Sequence, residues 1–139
     1  KKNVSIYDEH YHGKYKPFTK KTRFKNFDHN ELSQELNEIL AKKNSKLELI
    51  VGYFPKLKSE DIQKITSLKF SFVHLDFDLY KPTIDCLNFI KDKLEKNAII
   101  LVDDYNFINQ EGVKKAIKDF DIDLSKGFQT QSGQLILFN

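Results

Sequence analysis

Two apolar stretches of this chain have the length of buried strands, one at 70–76 and the other at 98–103. Between them, apolar residues recur at helical spacing after Pro82. Proline suits the first turn of a helix because its fixed φ and its missing N–H cost nothing there. A strand–helix–strand crossover is right-handed and places its two strands in parallel. The pattern therefore predicts two parallel strands of one sheet.

Each of these stretches ends in a pair of acidic residues, Asp76 and Asp78 after the first and Asp103 and Asp104 after the second. Parallel strands point their carboxyl ends at the same edge of a sheet, where open α/β sheets bind their ligands. Four carboxylates in one place repel one another unless a cation or protons neutralise them. The sequence therefore predicts a divalent-metal site at this edge.

The remaining segments complete an alternation of strands and helices. They predict, in chain order, a strand at 3–7, a loop at 9–28, a helix capped by Asp28, a buried strand at 47–51, a short helix capped by Ser59, a helix after Gly112 and a hairpin over 127–138. Strands that alternate with helices favour an α/β fold. We expect an open, doubly wound sheet with an antiparallel hairpin at its C-terminal side.

Length and composition predict a single domain over 1–139. No apolar run is long enough to span a membrane, and no secretory signal is visible. The lone Cys86 excludes an internal disulfide and fits a reducing compartment, so we expect a cytoplasmic protein with this thiol in its core. Since the sequence contains no Met, we also expect an upstream segment.

Positive charge is concentrated near the start of the chain. Residues 1–26 hold eight Lys and Arg side chains against two acidic ones, and aromatic residues alternate with them. Basic and aromatic residues together occur in nucleic-acid binding, but a solvated loop explains the same composition more simply. A loop that closes over an anionic small molecule is a third interpretation. We expect a small-molecule partner rather than a nucleic acid.

Around the acidic pairs the sequence resembles a known family. Residues 74–83, 100–105 and 112–116 are similar to the macrocin O-methyltransferase family, and the resemblance extends over about 3–120. These enzymes use S-adenosylmethionine and a metal to methylate sugars and phenols. The resemblance implies a Rossmann-like methyltransferase sheet, a Mg²⁺-dependent O-methyltransferase and a hydroxylated acceptor such as a sugar.

The resemblance also implies roles for individual residues. It implies metal ligands at Asp76, Asp103 and Asp104, and a general base at Asp78. For the cofactor it implies contacts from Asp8, which would bind the ribose, and from Gly52, Tyr53, Asp76 and Phe77. A metal-bound hydroxyl has a lowered pKa, and a nearby carboxylate can take its proton, so these roles agree with the chemistry of the residues.

The first strand of that family and its Gly-rich turn have no counterpart here, so the fold is expected to be incomplete at its N-terminal side. We expect weak or no binding of S-adenosylmethionine by this chain alone. Either an upstream segment or another copy would fill the place between 4–7 and 70–76, unless those two strands pair directly. The alternative function is a non-catalytic, methyltransferase-like binding module that uses the basic N-terminal stretch. The second acidic pair fits poorly with a phosphohydrolase of the haloacid dehalogenase type.

Overall fold

The computed structural model describes residues 29–107, 111–120 and 122–139. The helices in these ranges are α1 (His29–Ala41), α2 (Ser59–Thr66), α3 (Tyr80–Ile90) and α4 (Glu111–Asp119). The strands are β1 (Phe70–Leu75), β2 (Leu94–Val102), β3 (Gly127–Gln129) and β4 (Leu135–Phe138). Among the described helices, none has both the length and the apolar character that a membrane span requires.

The four strands form one mixed sheet in the order β1-β2-β4-β3. The strands β1 and β2 are parallel, with Val73 opposite Ile100 and Leu75 opposite Val102. The strand β4 runs antiparallel to both of its neighbours. The α/β class, the parallel crossover and the C-terminal hairpin are therefore confirmed. The reversed strand β4 lies inside the sheet, however, and β3 forms the edge.

The core lies between one face of this sheet and the helices α3 and α4. Period-2 alternation turns the buried side chains of β2 and β4 to that face, and helical spacing turns those of α3 and α4 towards it. The fully buried side chains include Leu87, Ile100, Val102, Val113, Ile117 and Leu137. Because both helices pack on the same face, they hold the ends of β1 and β2 in place.

The opposite face of the sheet carries large side chains that remain exposed. Phe72 of β1 and Phe138 of β4 lie on either side of Ile99, and they are 55% and 41% exposed. Phe128 of β3 lies 6.3 Å from Phe138, measured between ring centroids. The core of the described residues is therefore one-sided.

Two local predictions are wrong. Residues 47–51 are not a buried strand: no strand is assigned there, and Leu49 and Val51 are 40% and 61% exposed. A strand needs a neighbour for its backbone groups, and no described strand lies beside this segment. Ser59 is not the cap of α2 but its first residue. The cap is Lys58, whose extended backbone meets the requirement and whose side chain makes no capping bond.

Several predictions lie outside the described residues, namely the strand at 3–7, the loop at 9–28, the Asp28 cap and the basic stretch. Within the described ranges β1 pairs with β2 alone. Whether another strand fills the place between 4–7 and 70–76 therefore stays a prediction.

Cys86 is a buried thiol of α3, as expected. Burial raises its pKa to about 11, which lowers the thiolate fraction at pH 8 by about 100-fold. The thiolate is the species that reacts with alkylating agents. We expect iodoacetamide at pH 8 to modify the folded protein about 100-fold more slowly than the urea-unfolded protein, measured by intact mass. Equal rates would show that the thiol is accessible.

Candidate metal centre

A backbone hydrogen bond ties the ends of the two parallel strands together. The N–H of Asp103, directly after β2, donates to the carbonyl oxygen of Leu75, the last residue of β1, at 2.9 Å. The segments that follow β1 and β2 therefore leave the sheet at the same point of its C-terminal edge. Both acidic pairs therefore follow their strands at this one edge.

Three carboxylates come together there. Asp76, Asp78 and Asp104 each offer a carboxylate oxygen, and these oxygens all lie within 4.8 Å of one another. Asp76 is exposed, whereas Asp78 and Asp104 are half-buried. Carboxylate oxygens are the ligands that Mg²⁺ and Ca²⁺ prefer. Three like charges at this spacing repel one another, so a divalent cation would stabilise the arrangement.

Left-handed backbones shape this edge. Asp78 has φ 58° and Asp104 has φ 55°, values that cost most residues energy but that Asp and Asn adopt more readily. The chain thus turns sharply within two or three residues of each strand end. Two of the three carboxylates of the group stand on these turns.

Asp103 lies outside this group of three carboxylates. Its Oδ1 accepts hydrogen bonds from the N–H of Asp104 and from Nε2 of Gln134, both at 3.1 Å. The structure thus joins Asp76 and Asp104 as expected, adds Asp78 to them, and leaves Asp103 out of the group. The implied role of Asp103 as a metal ligand stays a prediction.

Gln134 was missed at the sequence level. The hairpin contained a signal for it. Leu135 pairs with Val102, the last residue of β2, so the residue before Leu135 lies next to Asp103. The sequence pattern predicted the hairpin but not which strand it would join. Predicting the contact between Gln134 and Asp103 would therefore have required knowing that β4 pairs with β2.

An aromatic cluster lies next to Asp76. The ring of Phe77 stacks on Phe54 at 6.3 Å between centroids, and Phe54 meets Phe89 of α3 edge-on at 5.5 Å. The segment that contains Gly52 and Tyr53 is thereby held beside the acidic edge. Tyr53 is 67% exposed.

The proposed cofactor contacts fall unevenly on this region. A Cβ on Gly52 would lie 2.5 Å from Cδ2 of Leu57. The space beside Gly52 is therefore filled by a side chain of the protein itself. Phe77 is half-buried, and Asp8 lies outside the described residues. The cofactor roles of Asp8, Gly52, Tyr53, Asp76 and Phe77 stay predictions.

A cavity of about 560 Å³ lies elsewhere, between α3, α4 and the ends of β2 and β4. Asp119 lines it, and hydrogen bonds from Lys115 and Tyr80 hold the pKa of its exposed carboxyl below the usual range. None of the three grouped carboxylates lines this cavity. It is therefore separate from the candidate metal centre.

A family model matches the part of the chain that carries these acidic residues. The family model described as Macrocin-O-methyltransferase (TylF) matches residues 34–126, a span that contains Asp76, Asp78, Asp103 and Asp104. No curated protein matches the chain significantly. The family match covers well over half of the sequence and includes the crossover and all four acidic residues. The chain belongs to the macrocin-O-methyltransferase (TylF) family, and with it to the methyltransferases.

Proposed function

We propose that this protein is an O-methyltransferase that transfers the methyl group of S-adenosylmethionine to a hydroxyl of a sugar or of another hydroxylated small molecule, with Mg²⁺ as the metal. One observation carries the proposal: Asp76, Asp78 and Asp104 converge at the C-terminal edge of the sheet in a chain of this family.

The donor set fits Mg²⁺. All three groups offer oxygen, and Mg²⁺ characteristically combines one or two carboxylates with water or substrate oxygens. Asp76 faces solvent, so an acceptor can approach from that side. When bound, Mg²⁺ lowers the pKa of a hydroxyl that it contacts.

Within this proposal the carboxylates have distinct roles. Asp76 and Asp104 hold the metal, and Asp78 takes the proton of the acceptor hydroxyl at one of its carboxylate oxygens. A general base must be within hydrogen-bond reach of the proton that it removes. Asp78 is given this role by the family resemblance, and its carboxylate lies beside the two proposed ligands.

The methyl donor is proposed from the family and from the sheet. Parallel β1 and β2, followed by the reversed β4, are what the C-terminal half of a Rossmann-like methyltransferase sheet would present. S-adenosylmethionine supplies an electrophilic methyl group, and the protein's task is to orient it against the acceptor. The segment at 52–54 and the ring of Phe77, next to Asp76, are the described residues we propose for contact with it.

The test is a methyl-transfer assay with a panel of sugars and phenols. It is run at millimolar isotope-labelled S-adenosylmethionine, because this chain alone is expected to bind the cofactor weakly. We expect transfer with Mg²⁺ present, loss to background with EDTA, and recovery when excess Mg²⁺ is added. Substrate-free reactions give the background. Transfer that is unaffected by EDTA would contradict the metal-dependent mechanism. Tight binding of Mn²⁺ without transfer to any acceptor would favour the non-catalytic alternative.

A further inference from the structure

We infer that Gln134 is a positioning residue for the candidate metal centre, acting through Asp103 on the backbone of Asp104. This inference rests on the proposed metal-dependent function. Its basis is a chain of two hydrogen bonds: Nε2 of Gln134 donates to Oδ1 of Asp103, and the same oxygen accepts from the N–H of Asp104, each at 3.1 Å.

The second of these bonds bears on the geometry of a proposed ligand. Asp104 has a left-handed backbone, which is unfavourable unless its surroundings hold it. The carboxylate of Asp103 supplies an acceptor for the N–H of Asp104 in this conformation. If that acceptor moves, the N–H loses this hydrogen bond, and the backbone that directs the Asp104 side chain towards Asp76 and Asp78 is held less firmly.

Gln134, which donates to Asp103, is itself fixed by hydrogen bonds within a turn. The N–H of Gln134 donates to Oγ1 of Thr130 at 3.1 Å, and its carbonyl oxygen accepts from the N–H of Thr130 at 2.8 Å. Oγ of Ser132 donates to Oε1 of Gln134 at 3.3 Å, which leaves Nε2 directed at Asp103. The Gln134 amide is therefore oriented before any ligand binds.

A second contact fixes this turn against the acidic segment. The carbonyl oxygen of Gly133 accepts from the N–H of Asn106 at 2.9 Å. Gly133 has φ +89°, a conformation that favours glycine. The turn and Gln134 after it therefore bind the acidic segment at two points, Asp103 before Asp104 and Asn106 after it.

Hydrogen-bonded groups behind metal ligands set ligand orientation, and their loss typically weakens metal binding by about 10–100-fold. Gln134 and Asp103 have this relation to Asp104. Oδ1 of Asp103 thus supports the backbone of Asp104, and Gln134, which supports Asp103, lies outside the stretch that the family model matches.

The first experiment measures Mn²⁺ binding to the 139-residue protein by the loss of the free-ion electron paramagnetic resonance signal. We expect Gln134→Leu, which keeps the side-chain size but removes the donor, to weaken binding about 10-fold or more. The matched control is Gln131→Leu, at an exposed position of the same turn, which should bind Mn²⁺ as the wild type does. Circular dichroism melting confirms that each variant is folded.

The second experiment needs no metal. Amide hydrogen exchange, followed by NMR, should show the Asp104 N–H exchanging about 10-fold faster in Gln134→Leu than in the wild type or in Gln131→Leu. Asp103→Asn keeps Oδ1 as an acceptor and should retain most of the protection, whereas Asp103→Ala should lose it. A difference between these two variants is not expected if Asp103 merely fills space.

The outcomes separate the inference from the proposed function. If wild-type protein fails to bind Mn²⁺ at millimolar concentration, the metal proposal is wrong, and amide exchange alone then decides whether Gln134 positions Asp104. If the wild type binds Mn²⁺ and Gln134→Leu matches it in both binding and exchange, the inference is wrong while the metal site stands. An equal loss in Gln131→Leu would also overturn it.

Discussion

Replacing Asp76 by Asn should reduce Mg²⁺-dependent methyl transfer by about 100-fold or more. A metal contributes several kcal/mol of stabilisation to such reactions, and each ~1.4 kcal/mol corresponds to a factor of ten in rate. Asp76 is the most exposed of the three grouped carboxylates, so its substitution removes a charge without disturbing the core. The measurement is the initial rate at saturating Mg²⁺, together with Mn²⁺ affinity.

Folding stability provides a further signature of this variant. Removing one of three like charges relieves repulsion in the metal-free protein. The free energy of unfolding of Asp76→Asn without metal should therefore equal or exceed that of the wild type, while added Mg²⁺ should stabilise the wild type more. The matched control is Asp92→Asn. Asp92 is an exposed acid just before β2, at the end of that strand that lies away from the acidic edge. A loss of stability in Asp76→Asn would indicate a structural role instead of a metal-binding one.

Replacing Leu87 by Ala should lower the free energy of unfolding by about 2–5 kcal/mol. Leu87 of α3 is fully buried in the cluster that joins the sheet to α3 and α4. Its truncation leaves a cavity in addition to the lost burial of apolar surface, and close-packed interiors relax only in part. Since whole domains are stable by roughly 5–15 kcal/mol, this loss should be a large fraction of the total stability.

Urea unfolding followed by circular dichroism measures this effect. The matched control is Leu68→Ala, the same truncation at a side chain that is 49% exposed, and it should cost less than half as much. Comparable losses at Leu68 and Leu87 would mean that the core is not centred between the sheet and α3.

The parts of the fold that sequence predicts well are those with strong, local periodicity. The crossover over 70–102 combines two apolar runs with one helix of regular spacing, and the hairpin at 127–138 has an alternating pattern around a Ser-Gly turn. The run at 47–51 has an equally apolar pattern and forms no strand. Its composition meets the demands of a buried strand, but only a neighbouring strand can satisfy its backbone, and no property of the run itself reveals one.

The site shows the same limit at the scale of single residues. Asp103 and Asp104 are adjacent and chemically identical, so the sequence pattern alone does not distinguish their roles. The backbone turn at Asp104 and a glutamine that follows Asp103 by 31 residues separate them. Periodicity can place a pair of carboxylates at a sheet edge, but which member faces its partners depends on contacts made after the strands have paired.

The direction of β4 determines which loops can influence this edge. In a wholly parallel sheet only the segments that follow strands reach the carboxyl edge, and those that precede strands lie on the far side. Because β4 is reversed between two strands of the opposite direction, the loop that precedes it emerges beside the carboxylates. Changes in the length or composition of that loop can therefore alter the surroundings of the acidic group while the β1–α3–β2 crossover stays the same. The reversed strand thus places a surface loop beside the site, and this loop can vary independently of the crossover that carries the carboxylates.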